Sequence, residues 1–292
     1  MYKEPLMRHS PSLLSIAAIL VSTLATAACQ RNYNAGKPLV AGQSSEVTAP
    51  SPTVMLGDAR EAGCSATLVG PQLVVTAAHC VLVGAPEFTA PQRGAPLPPR
   101  SGLIVYFVRN FSAVTGTNQR RVAEFKAHPR SIFTNPAHGP IDASSSGAAD
   151  IALLKLAEPA PSDYPIAKLS TMDAKILKGK ELSLQGFGFT EISNQDFGTL
   201  REGMVNYYLR ENPGEFYVRG ANGNEVASCP GDSGGSLYYI SGPGAQPLLL
   251  GVASRVLVEG GKCAGSNSIY GDIAYHQAWL KQTAAEWGLA LN

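Results

Sequence analysis

The apolar positions of this chain fall in short runs separated by Gly, Pro, Ser and Asn. The runs cover 72–75, 103–108, 121–125, 151–156, 181–185, 204–209, 215–218, 236–240, 248–253 and 268–273. They are rich in Val, Ile, Leu, Tyr and Phe, whose branched or aromatic side chains suit a pleated, half-buried surface, so each predicts a strand. Helical spacing appears only near the C-terminus, where Tyr275, Trp279, Thr283 and Trp287 lie four apart and Gly288 supplies a stop. Many strands and one terminal helix predict an all-β architecture of barrels or sandwiches.

The intervening segments divide the chain further. A proline-rich stretch, 84–100, and a Ser/Gly/Ala-rich one, 135–149, predict long surface loops, and 158–180 predicts the connection between two halves. No internal repeat is visible. At the N-terminus, Lys3 and Arg8 precede a mainly apolar run, 13–24, and then Ala25-Thr26-Ala27-Ala28-Cys29. This is the layout of an export signal over 1–28, followed by a tether or propeptide over 29–38. A membrane-spanning helix is the competing reading, but the run is shorter than the about 20 apolar residues a span needs.

Composition narrows the partners. With 292 residues, a formal net charge of +1 and no long Lys/Arg run, the chain offers no track for phosphates, so nucleic acid is not expected as a partner. No carboxylate cluster suggests calcium. The five cysteines are Cys29, Cys64, Cys80, Cys229 and Cys263, which leaves one over if four pair. Cys29 follows small residues, as the lipid-attachment cysteine of bacterial lipoproteins does, although Thr26 stands where that motif has an aliphatic residue. Ordinary cleavage after Ala27 or Ala28 is the alternative. Either way the mature chain leaves the cytoplasm, for a compartment where disulfides persist. Three pairings of the remaining four cysteines are open.

Three segments carry chemistry. Cys229-Pro230-Gly231-Asp232-Ser233-Gly234-Gly235 frames a serine with glycines, which lets neighbouring N–H groups turn toward a reacting carbonyl oxygen. Thr76-Ala77-Ala78-His79-Cys80 and Asp150-Ile151-Ala152-Leu153-Leu154 supply a histidine and an aspartate, giving the chain order His, Asp, Ser. Gly231 to Gly235 also satisfies the G-x-S-x-G elbow of α/β-hydrolase esterases, and Asp272 and His276 follow it. That fold needs strands alternating with helices before the elbow, and no helical periodicity precedes Ser233. His276 is therefore expected on the surface of the terminal helix, His138 in a solvated loop, and His128 outside the chemistry.

With these motifs, the chain from about Leu39 to the terminal helix resembles the chymotrypsin-like serine peptidases, in an exported bacterial form. The resemblance implies two antiparallel six-stranded β-barrels with a C-terminal helix. The peptidase domain would be 39–292, with the first barrel about 39–160, the second about 175–274 and the helix about 275–288. It implies Ser233 as nucleophile, His79 as its base and Asp150 as the buried partner of the imidazole. The N–H groups of Gly231 and Ser233 would form the oxyanion hole, each typically worth about 3–4 kcal/mol. It selects the pairings Cys64–Cys80 and Cys229–Cys263, and assigns the specificity pocket to Ala227, Ser254, Val256 and Ser268. With Ala227 at the pocket base and Val256 narrowing its wall, small or medium apolar side chains are expected before the scissile bond. Arg255 and Lys262 would instead favour an acidic residue, and Glu225 a basic one.

The resemblance also implies activation by cleavage before Leu39, whose new amine would reach Asp232. It implies no metal or organic cofactor, protein or peptide substrates, and a monomer that is secreted, periplasmic or held at a membrane by a lipid on Cys29. Activity would fall as pH drops through about 6–7, where an ordinary imidazole takes up its proton. A catalytically inactive binding module is the alternative; such relatives commonly lose a triad member, and this chain retains all three.

Overall fold

The computed structural model describes residues 44–58, 62–82, 99–131, 149–194, 196–210, 212–242 and 245–291. The signal segment, the tether, Cys29, Leu39, His138 and most of both long loops lie outside them. Among the described residues no helix is long and apolar enough to cross a membrane.

Six strands close the first barrel. They are β2 (Thr53–Gly57), β3 (Ala62–Gly70), β4 (Leu73–Thr76), β5 (Ile104–Tyr106), β6 (Gln119–Ala127) and β7 (Ala152–Leu156), in the order β2-β3-β4-β7-β6-β5. Every residue of β2 and β4 is buried, because one face fills the barrel while the other is covered by neighbouring structure. β6 alternates more openly, consistent with its Arg120, Glu124 and Lys126.

The second barrel is closed by β9 (Glu181–Gly186), β10 (Arg201–Leu209), β11 (Glu215–Gly220), β14 (Lys262–Asp272), β13 (Leu248–Glu259) and β12 (Ser236–Tyr239), with β9 pairing both β10 and β12. Two short strands join this ring from outside: β1 (Ser44–Glu46) pairs antiparallel with β10, and β8 (Lys168–Leu169) pairs parallel with β13. The connection between β7 and β9 thus adds a strand to the second barrel on its way across.

A buried polar seam locks the barrels together. Thr53 and Thr67 of the first barrel meet Ser236 Oγ at 2.9 and 2.5 Å, Thr53 also meets the Tyr238 hydroxyl at 3.0 Å, and Ser51 donates to Gln185 at 2.6 Å. Buried hydroxyls are tolerable here because each finds a partner.

The terminal helix α1 (Ile273–Glu286) starts two residues before the predicted position because Asp272 caps it, its Oδ1 accepting from the N–H of Ala274 at 2.8 Å. The apolar pattern did not predict β2 and β3, nor the short strands β1 and β8. The β3 sequence is rich in small residues with little intrinsic strand preference, and pairing on both sides, to β2 and β4, makes it a strand. β13 and β14 run longer than their apolar segments, to a hairpin tip where Gly260 and Gly261 have φ of 60° and 76°.

His276 departs from its expected surface position. It is buried, packed edge-on against His128 at 5.2 Å between ring centroids, and His128 in turn lies 4.7 Å from the Trp279 ring. One turn of a helix seated on a barrel needs a face turned inward, and His276 is on it. Asp272, the other residue of the hydrolase alternative, is occupied as helix cap and partner of Arg210. The double barrel leaves no place for the α/β-hydrolase fold.

Candidate active site

Register brings His79 and Asp150 together. β4 and β7 are antiparallel neighbours with Thr76 opposite Ala152, so the residues just after Thr76 and just before Ala152 emerge at the same end of the barrel. His79 sits there in a 3₁₀ turn, Ala78–Val81, and Asp150 two residues before β7. The disulfide Cys64–Cys80 fastens that turn to β3.

The pair is tightly engaged. His79 Nδ1 lies 2.8 Å from Asp150 Oδ2, and the His79 backbone N–H donates to Oδ1 at 3.0 Å. Ser254 Oγ donates to Oδ2 at 2.7 Å. Burial pushes the Asp150 carboxyl up, but the charge and hydrogen bonds of His79, with Ser254, outweigh it and hold the group below the ordinary carboxylate range. An ionised carboxylate only accepts, so the imidazole carries its proton on Nδ1, and Nε2 becomes the basic nitrogen.

The serine loop hangs between the barrels. Ser65 of the first barrel donates its N–H to Ser233 O at 2.7 Å and its Oγ to Gly231 O at 2.9 Å, while that Oγ accepts from Phe187 N–H at 2.9 Å. On the other side Gly234 N–H donates to Ala253 O at 2.7 Å. Gly231 (φ 91°) and Gly234 (φ 78°) take backbone conformations that side chains rarely adopt. A Cβ on Gly231 would also strike the Phe197 ring, and one on Gly234 would strike Thr76 Oγ1 and the Ser65 carbonyl. Among the described residues, no hydrogen bond engages the N–H of Gly231 or of Ser233, nor joins Ser233 Oγ to the imidazole. Resting sites of this type often close the serine–histidine contact only when substrate arrives.

Ser233 opens onto a shallow cleft lined by Ser228, Cys229, Pro230, Ala253, Ser254, Arg255 and Val256. Ala227 and Ser268, both predicted to line it, have no exposure and are not among its lining residues, whereas Ser228 is. Ser228 N–H and Oγ both donate to Ser268 Oγ, at 2.7 and 2.9 Å. Ser254 and Val256 do line the cleft. Cys229–Cys263 braces its wall, and Glu191 accepts from the Cys263 N–H beside it at 2.7 Å.

Asp232 is 1 % exposed and accepts from the N–H groups of Gly188 and Cys229, each at 2.8 Å. Its expected partner Leu39 lies outside the described residues. Glu225 and Lys262 are exposed and stand off the cleft. Arg255 is engaged by Glu215, a buried carboxylate at 1 % exposure that no sequence motif pointed to. Ser65 was equally invisible, since only pairing of β3 with its neighbours brings it against the serine loop. The two groups of potential metal donors, Cys64-His79-Cys80 and Glu191-Cys229-Cys263, each contain a disulfide, whose sulfurs are not thiolate ligands.

The family model of Trypsin matches residues 40–280. Phenoloxidase-activating factor 3 of Holotrichia diomphalia is 26% identical over 241 residues, covering 77% of this chain and 64% of that protein, so the chain spans less than two thirds of its curated relative. Among solved structures, neuropsin, a serine protease expressed in the limbic system of mouse brain, superposes with a TM-score of 0.61 at 21% identity, over 82% of this chain and 98% of its own. At that identity the likeness is one of fold.

Proposed function

This chain belongs to the Trypsin family, and on that premise we propose that it is an exported serine endopeptidase that cleaves after small or medium apolar residues. The observation that carries the reading is the 2.8 Å contact of His79 Nδ1 with an ionised, buried Asp150, which Ser254 joins to the cleft that Ser233 lines. Ser233 Oγ attacks the substrate carbonyl carbon as His79 Nε2 takes the hydroxyl proton. The N–H groups of Gly231 and Ser233 hold the oxyanion. Collapse expels the amine, which receives the proton from Nε2, and leaves an acyl-enzyme. Water, deprotonated by the same nitrogen, then frees the acid and restores Ser233. Asp150 stays ionised throughout and stabilises the imidazolium.

The apolar preference is supported by the cleft. Its lining carries Val256, and its arginine is already paired with Glu215. Among the described residues that line it, none offers an unpaired charge to an acidic or basic side chain. Two disulfides support export to an oxidising compartment. The proposal includes cleavage before Leu39, with the new amine reaching the buried Asp232 carboxylate and 29–38 leaving as a propeptide.

A fluorophosphonate probe should label the processed protein, and Ser233→Ala should abolish labelling. Correctly processed protein that resists the probe would reduce the chain to a peptidase-like binding module. In a peptide library, Val256→Gly should admit larger residues before the cleaved bond, whereas a wild-type profile dominated by Arg or Lys would overturn the preference. N-terminal sequencing of active protein should begin at Leu39; a start at or near Cys29 would remove the activation step.

A further inference from the structure

A continuous polar path leads out of the catalytic pair into the second barrel. Ser254 Oγ, while donating to Asp150 at 2.7 Å, accepts from Arg255 Nη1 at 3.3 Å. The same guanidinium is clasped in two-pronged fashion by Glu215, Nη1 to Oε1 at 2.8 Å and Nη2 to Oε2 at 2.9 Å. Arg255 is 12% and Glu215 1% exposed at the side chain, so solvent screens this ion pair poorly. The groups therefore run anion, cation, hydroxyl, anion, imidazole across the two barrels.

We propose that Arg255 and Glu215 are positioning residues that set the charge balance of the His79–Asp150 couple through Ser254. The inference rests on the peptidase reading and adds to it a control on the base. A hydrogen bond from a cation polarises the Ser254 hydroxyl, which strengthens its donation to Asp150. The same cation, left alone, would oppose the imidazolium that must form when Ser233 attacks. Glu215 cancels that opposition from behind. A neutral pair thus supports the carboxylate without suppressing the base.

Among the described residues, this pair is linked to Asp150 through Ser254, and the other charged groups nearby are engaged elsewhere. Tyr217 of β11 lies beside Arg255. On β6, next to the histidine turn, Glu124 pairs with Lys155 and Lys126 with Glu286, all at or near the surface. On the far side, His128 donates its N–H to Ile151 O at 2.9 Å, and both it and His276 are kept neutral by burial, at about 4 and about 3. Burial raises the Glu215 carboxyl despite its bonds to Arg255, so its charge depends on the arginine remaining.

Two readouts on the processed full-length protein test the proposal: the pH dependence of the fluorophosphonate labelling rate, and the NMR titration of the His79 imidazole in the Ser233→Ala background. Glu215→Gln leaves Arg255 uncompensated and should move the acid limb to lower pH by about one pH unit. Arg255→Gln should move it to higher pH, by less, because the stranded Glu215 then protonates. The double variant should return close to wild type. Shifts of both single variants in the same direction, or a Glu215→Gln limb within about 0.2 pH unit of wild type in folded protein, would overturn the proposal. If a single variant does not fold, the exchange Glu215→Arg with Arg255→Glu keeps a pair but brings the anion next to Ser254. Its limb should then rise, and an unmoved limb refutes the idea. A wild type that never labels defeats the peptidase reading, while the NMR titration still decides whether the pair governs His79.

Discussion

The two barrels share an architecture and divide the labour unequally. The first contributes its two reactive residues from the same end of one antiparallel strand pair, β4 and β7, within motifs of five residues each. The second contributes a serine on a loop pinned from both sides, and a cleft lined from that loop and from β13. On the proposed reading, the acid–base half is local and register-determined, whereas the recognition half is assembled. Damage to the first should appear in the rate of chemistry, and damage to the second in substrate choice, pH dependence and rigidity.

The sharpest way to break that contrast is at the two carboxylates. Asp150→Asn should lower kcat on the order of 10⁴-fold, because the amide favours the wrong imidazole tautomer. Glu215→Gln, one barrel away, should cost far less at optimal pH. Comparable kcat losses would erase the distinction.

The disulfides come next. Removing either bridge should destabilise by roughly 2–5 kcal/mol, more for Cys229–Cys263, whose separation of 34 residues exceeds the 16 of Cys64–Cys80. Denaturant titration measures the loss. Replacing Cys229 and Cys263 by alanine should also raise KM for peptide substrates, since that bridge braces the cleft wall.

Ser65→Ala tests the contact that joins the halves. It strands the Phe187 N–H and removes the donor to Gly231 O, both buried, at a cost of about 1–3 kcal/mol. Ser233 labelling should slow as the loop loosens, while a variant with unchanged stability and labelling would show that the first barrel does not hold the serine.

The last effect is graded with pH. His128 and His276 are depressed from an ordinary 6.5 to about 4 and about 3, chiefly by burial. The unfolded chain binds protons there that the folded one refuses, so their contribution is complete above about pH 6.5 and is lost as pH falls toward 3–4. The slope is at most about 1.4 kcal/mol per pH unit for each ring, and less where water reaches the pair. Asp150, also depressed, adds the same sign at lower pH. Thermal melts from pH 7 to 4 should therefore fall steadily, and His276→Phe should flatten the slope.

The apolar runs located most strands, and the motifs named the residues of the candidate site, because both depend on residue type within a few positions. The ends of β13 and the whole of β3 were illegible for a physical reason: their strand state comes from partners, not from their own side chains. His276 was misplaced for a related one, since helical spacing tells which residues share a face but not which face the barrel will cover.

What the sequence alone determined is the chemistry: a serine in a glycine frame, a histidine and an aspartate in order, and cysteines enough for two bridges. Pairing these into one site required the β4–β7 register and the closure of both barrels. Only the tertiary structure decided that Ser228 and not Ala227 lines the cleft, that Ser65 ties the serine loop to the opposite barrel, and that Arg255 joins Glu215 to Ser254 beside Asp150. The Ser65–Gly231 contact alone joins residues 166 positions apart. Burial turns these relations into forces, because hydrogen bonds and charges far from water act at nearly full strength and cannot be left unpaired.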